Sequence, residues 1–346
     1  MGNGQWAMGE GRGAMGGREL AIHNLQTPIE DDLPRKPIAL ERLAAQKDST
    51  VYDTIDWSTP LDRSRWFVCE TQTPLYYTSC YGELTPDQRL RYNQLTGMLS
   101  NELIAMLETE LLTAALGAIE SDHGHDPELA AAVRRFRDDE RRHADMWRRL
   151  NLLSEPAWYT SRDRYLARIP SPAIALARAL ASRPATFPVV LWIQLAQEER
   201  SIDMSRRSLA LPPGRLESRY RVAHQAHVQD EVRHVQVDWH LIARFYDRRS
   251  KATRVMTARL FRFFLGSVLL MPVYSTTRVI KALGEEFSDL QPLVPRMLRE
   301  LRTLQIDDRY HEMMYSRRTT PITFALLDRF DEFRDVGKTL RGYQPR

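Results

Sequence analysis

The stretch HVQDEVRHVQVD, residues 227–238, is the strongest indication of the fold, because its acidic and imidazole side chains lie close together on one predicted helix. Within it, His227, Glu231 and His234 recur at positions i, i+4 and i+7, so their side chains share one helix face. Solvated helices often carry such pairs, and a single copy would therefore decide nothing. The pattern becomes informative only if other helices carry further acidic and histidine side chains that could join it.

A second Glu-x-x-His unit lies in the segment DDERRH, where Glu140 and His143 stand at i and i+3. The same helix face continues through Phe136, Trp147 and Leu150, which are apolar. An unpaired charge is costly to bury among apolar side chains. A bound metal ion would compensate both groups, and a donor set of carboxylates and imidazoles without thiolate favours iron or manganese.

Four-helix bundles with a dinuclear carboxylate site use Glu-x-x-His on two helices and a single glutamate on each of the other two. We expect those single glutamates on the first and third long helices. Equal spacing along the chain favours Glu108 on the first helix and Glu199 on the third. Glu108 precedes Glu140 by 32 residues, and Glu199 precedes Glu231 by 32 residues. The alternatives that remain open are Glu110 for the first helix and Glu198 for the third.

The composition and periodicity of the rest of the chain predict an all-α fold with three regions. Seven of the first 17 residues are Gly, which predicts a disordered tail over residues 1–17. Residues 18–84 are rich in Pro, Asp and Thr, and we expect an extended arm packed on the body. Periodicity of 3.6 residues then predicts a helical domain over residues 85–346. It contains a four-helix bundle and two or three additional C-terminal helices.

Helix boundaries can be predicted from capping residues. Thr85 is a candidate N-cap with Pro86 at the first helical position, and Asp126 followed by Pro127 restarts a helix after the break SDHGH. A crossover is expected from about 151 to 186 before the third long helix. The turn LPPG then leads into the fourth.

Composition narrows the function classes. Hydrophobic residues make up 43% of the chain and charged residues 27%, as in ordinary globular proteins. The net charge is +4, but the sequence shows no cluster of basic residues interleaved with aromatic residues. Nucleic acid is therefore not an expected partner. The cysteines, Cys69 and Cys80, are too few for a disulfide scaffold, which favours a cytoplasmic location. The longest apolar run, residues 263–274, is too short to span a bilayer, and no membrane association is expected.

The segments MLETEL, DDERRH, QEERSID and HVQDEVRH resemble the AurF-type diiron N-oxygenases, which are p-aminobenzoate N-oxygenase-like proteins of ferritin-like fold. In that family a third histidine precedes the second Glu-x-x-His by four residues, and His227 stands at that position here. The resemblance covers the predicted bundle. It implies seven iron ligands: Glu108, Glu140, His143, Glu199, His227, Glu231 and His234.

The resemblance also implies a function. It implies a non-haem diiron monooxygenase of specialised metabolism that uses two iron ions, O2 and external electrons. Its product would be an amine oxidised to the hydroxylamine, nitroso or nitro level. Another diiron oxidation, such as C–H hydroxylation or desaturation, and iron binding without substrate oxidation stay open as alternatives. The expected partners are an amine, free or carrier-bound, and an electron donor, with a homodimer also open.

Three further polar residues lie near the motifs, and for the two aspartates among them a simple solvated position is the alternative. His224 faces the same side of its helix as His227, and we interpret it as a core histidine. Asp230 and Asp238 are candidates to hold the N–H groups of ligand histidines, as carboxylates near metal sites commonly do.

Overall fold

The computed structural model describes residues 37–46 and 50–343, and these residues are predominantly helical. Within those ranges no strand occurs, and the one β-type contact is an isolated bridge between Trp66 and Leu216. The predicted all-α fold is confirmed. The predicted Gly-rich tail, residues 1–17, lies outside the described residues, as does the first part of the predicted arm.

Long helices in two consecutive hairpins form the bundle. Their bounds are α2 Pro86–Leu107, α3 Thr113–Asp122, α4 Pro127–Ser154, α7 Val189–Leu209 and α8 Ser218–Phe245. In the first hairpin α2 and α3 pack on α4, and in the second α7 packs along α8. The hairpins meet where α4 contacts α8. The Glu-x-x-His helices α4 and α8 are therefore direct neighbours.

Capping residues set the helix starts. The hydroxyl of Thr85 accepts a hydrogen bond from the backbone N–H of Gln88, and the Gln88 side chain accepts one from the Thr85 N–H at 2.9 Å. This reciprocal pair is a capping box. Asp126 caps α4 by accepting the N–H of Leu129 at 3.1 Å. Both helices begin where the sequence predicted.

A π turn, Glu108–Leu112, joins α2 to α3. The hydroxyl of Thr113 donates to the carbonyl oxygen of Glu108 at 2.7 Å. Such single turns of wide helix occur frequently at functional sites, and they rotate the side chains that follow relative to those before. The turn therefore helps to decide which glutamate of this helix faces the bundle interior.

Shorter helices surround the bundle. Their bounds are α1 Leu40–Ala44, α5 Pro156–Tyr159, α6 Ser171–Ala181, α9 Lys251–Phe264, α10 Val273–Glu286, α11 Val294–Thr303, α12 Asp308–Met314 and α13 Pro321–Leu327. Helices α9 and α13 pack on α7, and α10 packs on α2. The described residues after α8 hold five helices where two or three were predicted. The last three of these have ten residues or fewer, too short for a clear periodic pattern.

Residues 50–84 contain short 3-10 helices and contribute side chains to the core. Their bounds are Val51–Thr54, Glu70–Gln72, Pro74–Tyr77 and Ser79–Glu83. Phe67 and Leu75 are buried, and the 3-10 helix that includes Tyr52 packs on α8. This segment therefore brings side chains close to the helix that carries His227 and Glu231.

One helical stretch, Lys251–Glu286, has the length and apolar composition of a membrane-crossing helix, and 44% of its apolar window is buried. It consists of α9, a π turn at Leu265–Leu269 and α10, with an irregular break before Val273. Because α9 packs on α7 and α10 on α2, part of its apolar surface is covered within the protein, while Phe263 and Tyr274 are exposed.

Candidate metal centre

Buried acids and imidazoles from α4, α8 and the π turn converge inside the bundle. They form two overlapping groups in which the ligand atoms all lie within 4.8 Å of one another. The groups are Glu108, His143, His227 and Glu231, and Glu140, His143, Glu231 and His234. His143 and Glu231 belong to both groups, and of these two only the carboxylate of Glu231 has two oxygens that could each bind a cation. Six of the seven predicted ligands are thus brought together.

Polar atoms in these groups lack hydrogen bonds within the described part of the chain. They are both carboxylate oxygens of Glu140, Oε2 of Glu108, Nδ1 of His143 and both ring nitrogens of His227. Nε2 of His227 lies 2.6 Å from Oε1 of Glu231 without a hydrogen bond between them. Buried polar atoms nearly always have a partner. Orphaned oxygen and nitrogen donors at this spacing fit metal ions of the iron and manganese type.

The two Glu-x-x-His histidines are oriented alike. Nδ1 of His234 lies 3.0 Å from Glu140 and 3.1 Å from Glu231, while its Nε2 lies 3.3 Å from Asp139. Nδ1 of His143 likewise faces Glu231, at 3.4 Å. In each ring one nitrogen therefore faces the ligand carboxylates, and the other is left for a supporting group.

Burial and charge crowding shift the pKa values of the groups. Burial raises the pKa of the Glu108 carboxyl well above its usual value, and the nearby charges of Glu140 and Glu231 raise it further. Burial lowers the pKa of His227 well below its usual value, and the neighbouring imidazoles lower it further. A neutral imidazole is the form that binds a metal. Bound cations would relieve the repulsion among the carboxylates.

Of the two candidates in the first hairpin, Glu108, which the sequence favoured, lies in the cluster. Its alternative, Glu110, instead forms ion pairs with Arg164 at 3.0 Å and with Arg178 at 2.7 Å. Those contacts direct the Glu110 carboxylate away from the cluster that contains Glu108.

The structure does not bring Glu199 into the cluster. The Glu199 carboxylate accepts the backbone N–H groups of Ile322 and Thr323 at 2.7 and 2.6 Å, at the start of α13. Burial raises the pKa of this carboxyl to about 7. Glu198 occupies the place expected for Glu199, because its Oε2 lies 3.7 Å from Nδ1 of His234. Glu198 is therefore the candidate on α7 that contacts the cluster, although it belongs to neither of the two ligand groups.

Two aspartates support the ligand histidines across the helix pair. Asp139 on α4 lies 3.3 Å from Nε2 of His234 on α8, and Asp230 on α8 lies 3.3 Å from Nε2 of His143 on α4. Arg233 donates hydrogen bonds to both aspartates. Although burial opposes ionisation, the contacts with His143 and Arg233 hold the pKa of Asp230 below its usual range. These contacts orient the imidazoles.

Asp230 contacts the candidate ligand His143, as its predicted role requires, and the Tyr52 hydroxyl donates a hydrogen bond to Asp230 at 2.9 Å. The prediction for Asp238 is wrong, because neither of its oxygens has a hydrogen-bond partner in the described residues. Burial raises the pKa of Asp238 well above its usual value. The sequence reasoning missed Asp139, although an aspartate directly precedes the glutamate in both motifs.

His224 is a core histidine, as predicted. Its Nδ1 lies 3.2 Å from the hydroxyl of Ser205, and its Nε2 lies 3.3 Å from the carbonyl oxygen of Phe67. Burial lowers its pKa to about 4, so the ring is neutral at physiological pH. It belongs to neither group of candidate ligands.

A pocket opens onto the cluster. Its base is formed by Glu108, Glu198, His227 and Glu231, and its cavity volume is about 150 Å³. Most of the wall is apolar and comes from α2, α7, α10 and the segment before α10. A small molecule in this pocket would therefore contact the candidate metal ligands directly.

Comparison of the chain with models of known protein families identifies its family. The family model described as p-aminobenzoate N-oxygenase AurF matches residues 35–286, which include both Glu-x-x-His units. The chain belongs to this family. Members of the AurF family are diiron oxygenases with a ferritin-like helical fold, so the predicted fold and the predicted family are confirmed. No curated protein and no solved structure matches the chain.

Proposed function

We propose that this protein is an N-oxygenase that uses two iron ions, O2 and external electrons to oxidise the nitrogen of a small amine. One observation carries the proposal: in a member of the AurF family, two buried groups of candidate ligands share Glu231 and border an apolar pocket. Within this proposal the ligands are Glu108, Glu140, His143, Glu198, His227, Glu231 and His234.

The ligands have distinct tasks in this proposal. Bound iron would supply O2 activation, and the Glu231 carboxylate would hold the two ions together. The aspartates Asp139 and Asp230 would keep Nε2 of each Glu-x-x-His histidine occupied, so that Nδ1 points at the metal. His227 adds a neutral imidazole at the pocket side. This nitrogen donor is absent from the general pattern of one glutamate or Glu-x-x-His per helix.

The pocket supports oxidation of an organic substrate over iron storage. Apolar walls exclude water from the reacting atoms, and a cavity of about 150 Å³ is the size that holds one benzene ring. Storage of iron would not require such a cavity beside the ligands. Arylamines, the class of amine in the family's description, are therefore the first substrates to test.

The proposal predicts that full-length protein, loaded anaerobically with ferrous iron, transfers labelled oxygen from O2 to an amine nitrogen. A panel of arylamines and aliphatic amines, analysed by mass spectrometry, would show the label in a hydroxylamine, nitroso or nitro product. Metal-free protein is the control. Label in a C–H hydroxylated product, or oxidised iron with every amine unchanged, would contradict N-oxygenation.

A further inference from the structure

A tyrosine from outside the bundle joins the support of one candidate ligand. The hydroxyl of Tyr52 donates a hydrogen bond to Oδ2 of Asp230 at 2.9 Å, and the same oxygen lies 3.3 Å from Nε2 of His143. The Tyr52 ring also stacks on the His143 ring, with 5.8 Å between their centroids. Tyr52, Asp230 and His143 therefore form a continuous chain of contacts. It ends at Nδ1 of His143, the nitrogen that faces the ligand carboxylates.

The support of the other Glu-x-x-His histidine carries more positive charge. Asp139, which contacts Nε2 of His234, accepts hydrogen bonds from two guanidinium groups, those of Arg142 and Arg233. Its counterpart Asp230 accepts one hydrogen bond from Arg233 and one from a neutral phenol. A charged donor occupies a carboxylate more strongly than a neutral donor does. The two imidazoles therefore receive unequal support, and the phenol is the part of it that comes from outside the bundle.

We propose that Tyr52 raises the reduction potential of the metal ion that His143 binds, because its hydroxyl shares the carboxylate oxygen that accepts the His143 N–H. A hydrogen bond from an imidazole N–H to a carboxylate makes the other ring nitrogen a stronger electron donor to a metal. The phenol competes for that oxygen and so weakens the hydrogen bond from His143. The imidazole then donates less electron density, which favours the ferrous ion over the ferric ion.

Tyr52 is a positioning residue in this proposal, since it acts on the metal only through Asp230 and His143. It lies in the 3-10 helix Val51–Thr54, which packs on α8, and its side chain is half-buried. A tyrosine hydroxyl keeps its proton at physiological pH and therefore acts as a donor to the carboxylate. The segment before the bundle thus contributes one polar atom to the metal centre. The inference rests on the iron ions of the proposed function.

The test compares iron reduction potentials, measured by anaerobic redox titration of full-length protein reconstituted with ferrous iron. The variant Tyr52→Phe keeps the ring beside His143 and removes only the hydroxyl. Tyr77→Phe is the matched control. Tyr77 is also half-buried in residues 50–84, its hydroxyl donates to the carbonyl oxygen of Thr71 at 2.8 Å, and it belongs to neither ligand group.

We expect Tyr52→Phe to lower the reduction potential of one iron while the iron content stays at the wild-type value. At a fixed potential the ferric-to-ferrous ratio of that iron should rise by about three- to tenfold, the range that one hydrogen bond supplies. Tenfold corresponds to about 59 mV for a one-electron step. Tyr77→Phe should leave the potentials unchanged. Unchanged or raised potentials in Tyr52→Phe, or iron loss without a shift in potential, would each overturn the proposal.

The variant Asp230→Asn tests the route of the effect. A neutral amide accepts the His143 N–H more weakly than a carboxylate does, so this change should raise the potential, opposite to Tyr52→Phe. In the double variant the loss of the hydroxyl should add little, because the charged oxygen on which it acts is gone. A full Tyr52→Phe shift in the Asp230→Asn background would mean that the hydroxyl acts by another route, and the proposal would be overturned.

Amine turnover, measured on the same preparations, separates this inference from the proposed function. If Tyr52→Phe lowers the potential and no amine is oxygenated by the wild-type protein, the role of Tyr52 stands and N-oxygenation fails. If the wild-type protein oxygenates amines and Tyr52→Phe has wild-type potentials, N-oxygenation stands and the role of Tyr52 fails.

Discussion

Glu231→Ala is expected to remove most of the iron and all of the oxygenation while leaving a helical fold. Glu231 belongs to both groups of candidate ligands, so its loss deprives both metal positions of a donor. The fold should persist because the bundle is held mainly by apolar contacts. In metal-free protein burial raises the pKa values of Glu108 and Glu140, which favours their neutral forms and limits the repulsion in an empty site. Iron analysis and circular dichroism measure the two effects.

The matched control is Asp238→Asn on the same helix. Asp238 is fully buried and belongs to neither ligand group, and burial raises the pKa of its carboxyl well above its usual value, so a neutral amide of the same shape is a conservative replacement. This variant should keep the wild-type iron content. Iron content unchanged in Glu231→Ala, or lost equally in both variants, would mean that Glu231 does not bridge the metal ions.

Glu198→Ala and Glu199→Ala are expected to have opposite effects. Glu198→Ala should lose iron with little change in the melting temperature of metal-free protein, because its carboxylate lies beside His234 and the pocket. Glu199→Ala should keep its iron and lose stability. It would leave the N–H groups of Ile322 and Thr323 without acceptors, at a cost of about 1–3 kcal/mol each.

Iron analysis and thermal unfolding of the two metal-free variants separate these outcomes. Glu199→Gln is a useful companion, since its amide oxygen can still accept one N–H group and should restore part of the stability. Iron loss in Glu199→Ala together with full iron in Glu198→Ala would return the ligand role to Glu199. In that case the rotation of α7 about its own axis differs from the one described.

The residues within one helix were predictable because helix geometry alone decides their neighbours. The spacings among His227, Glu231 and His234 place them on one face whatever the rest of the chain does. The Glu-x-x-His of α4 follows the same rule. The short loops at SDHGH and LPPG indicated two consecutive helical hairpins. The pairing of α4 with α8 then follows from the packing of these hairpins into one bundle.

The choice between Glu198 and Glu199 could not be made from the sequence. Adjacent helical residues point about 100° apart, so a modest rotation of α7 exchanges one for the other. That rotation depends on packing against α8 and on the start of α13, more than 120 residues further along the chain. Equal chain spacing favoured Glu199, but spacing along the chain does not determine how α7 is rotated about its own axis.

Contacts between segments that are distant in the chain could not be predicted from the sequence either. Tyr52 reaches Asp230 across 178 residues, and Arg200 meets Met314 across 114. No periodic pattern marks either pair. Asp139 is different, because its position before Glu140 repeats that of Asp230 before Glu231, and the repeat was visible in the sequence.

Iron content per chain tests the central claim most directly. Full-length protein reconstituted anaerobically with ferrous iron and freed of unbound metal should contain about two irons per chain, as expected for a dinuclear bundle site. The bound iron should be lost on Glu231→Ala and kept on Asp238→Asn. Iron content near zero in the reconstituted wild-type protein would contradict the assignment of these buried carboxylates and imidazoles as a diiron centre.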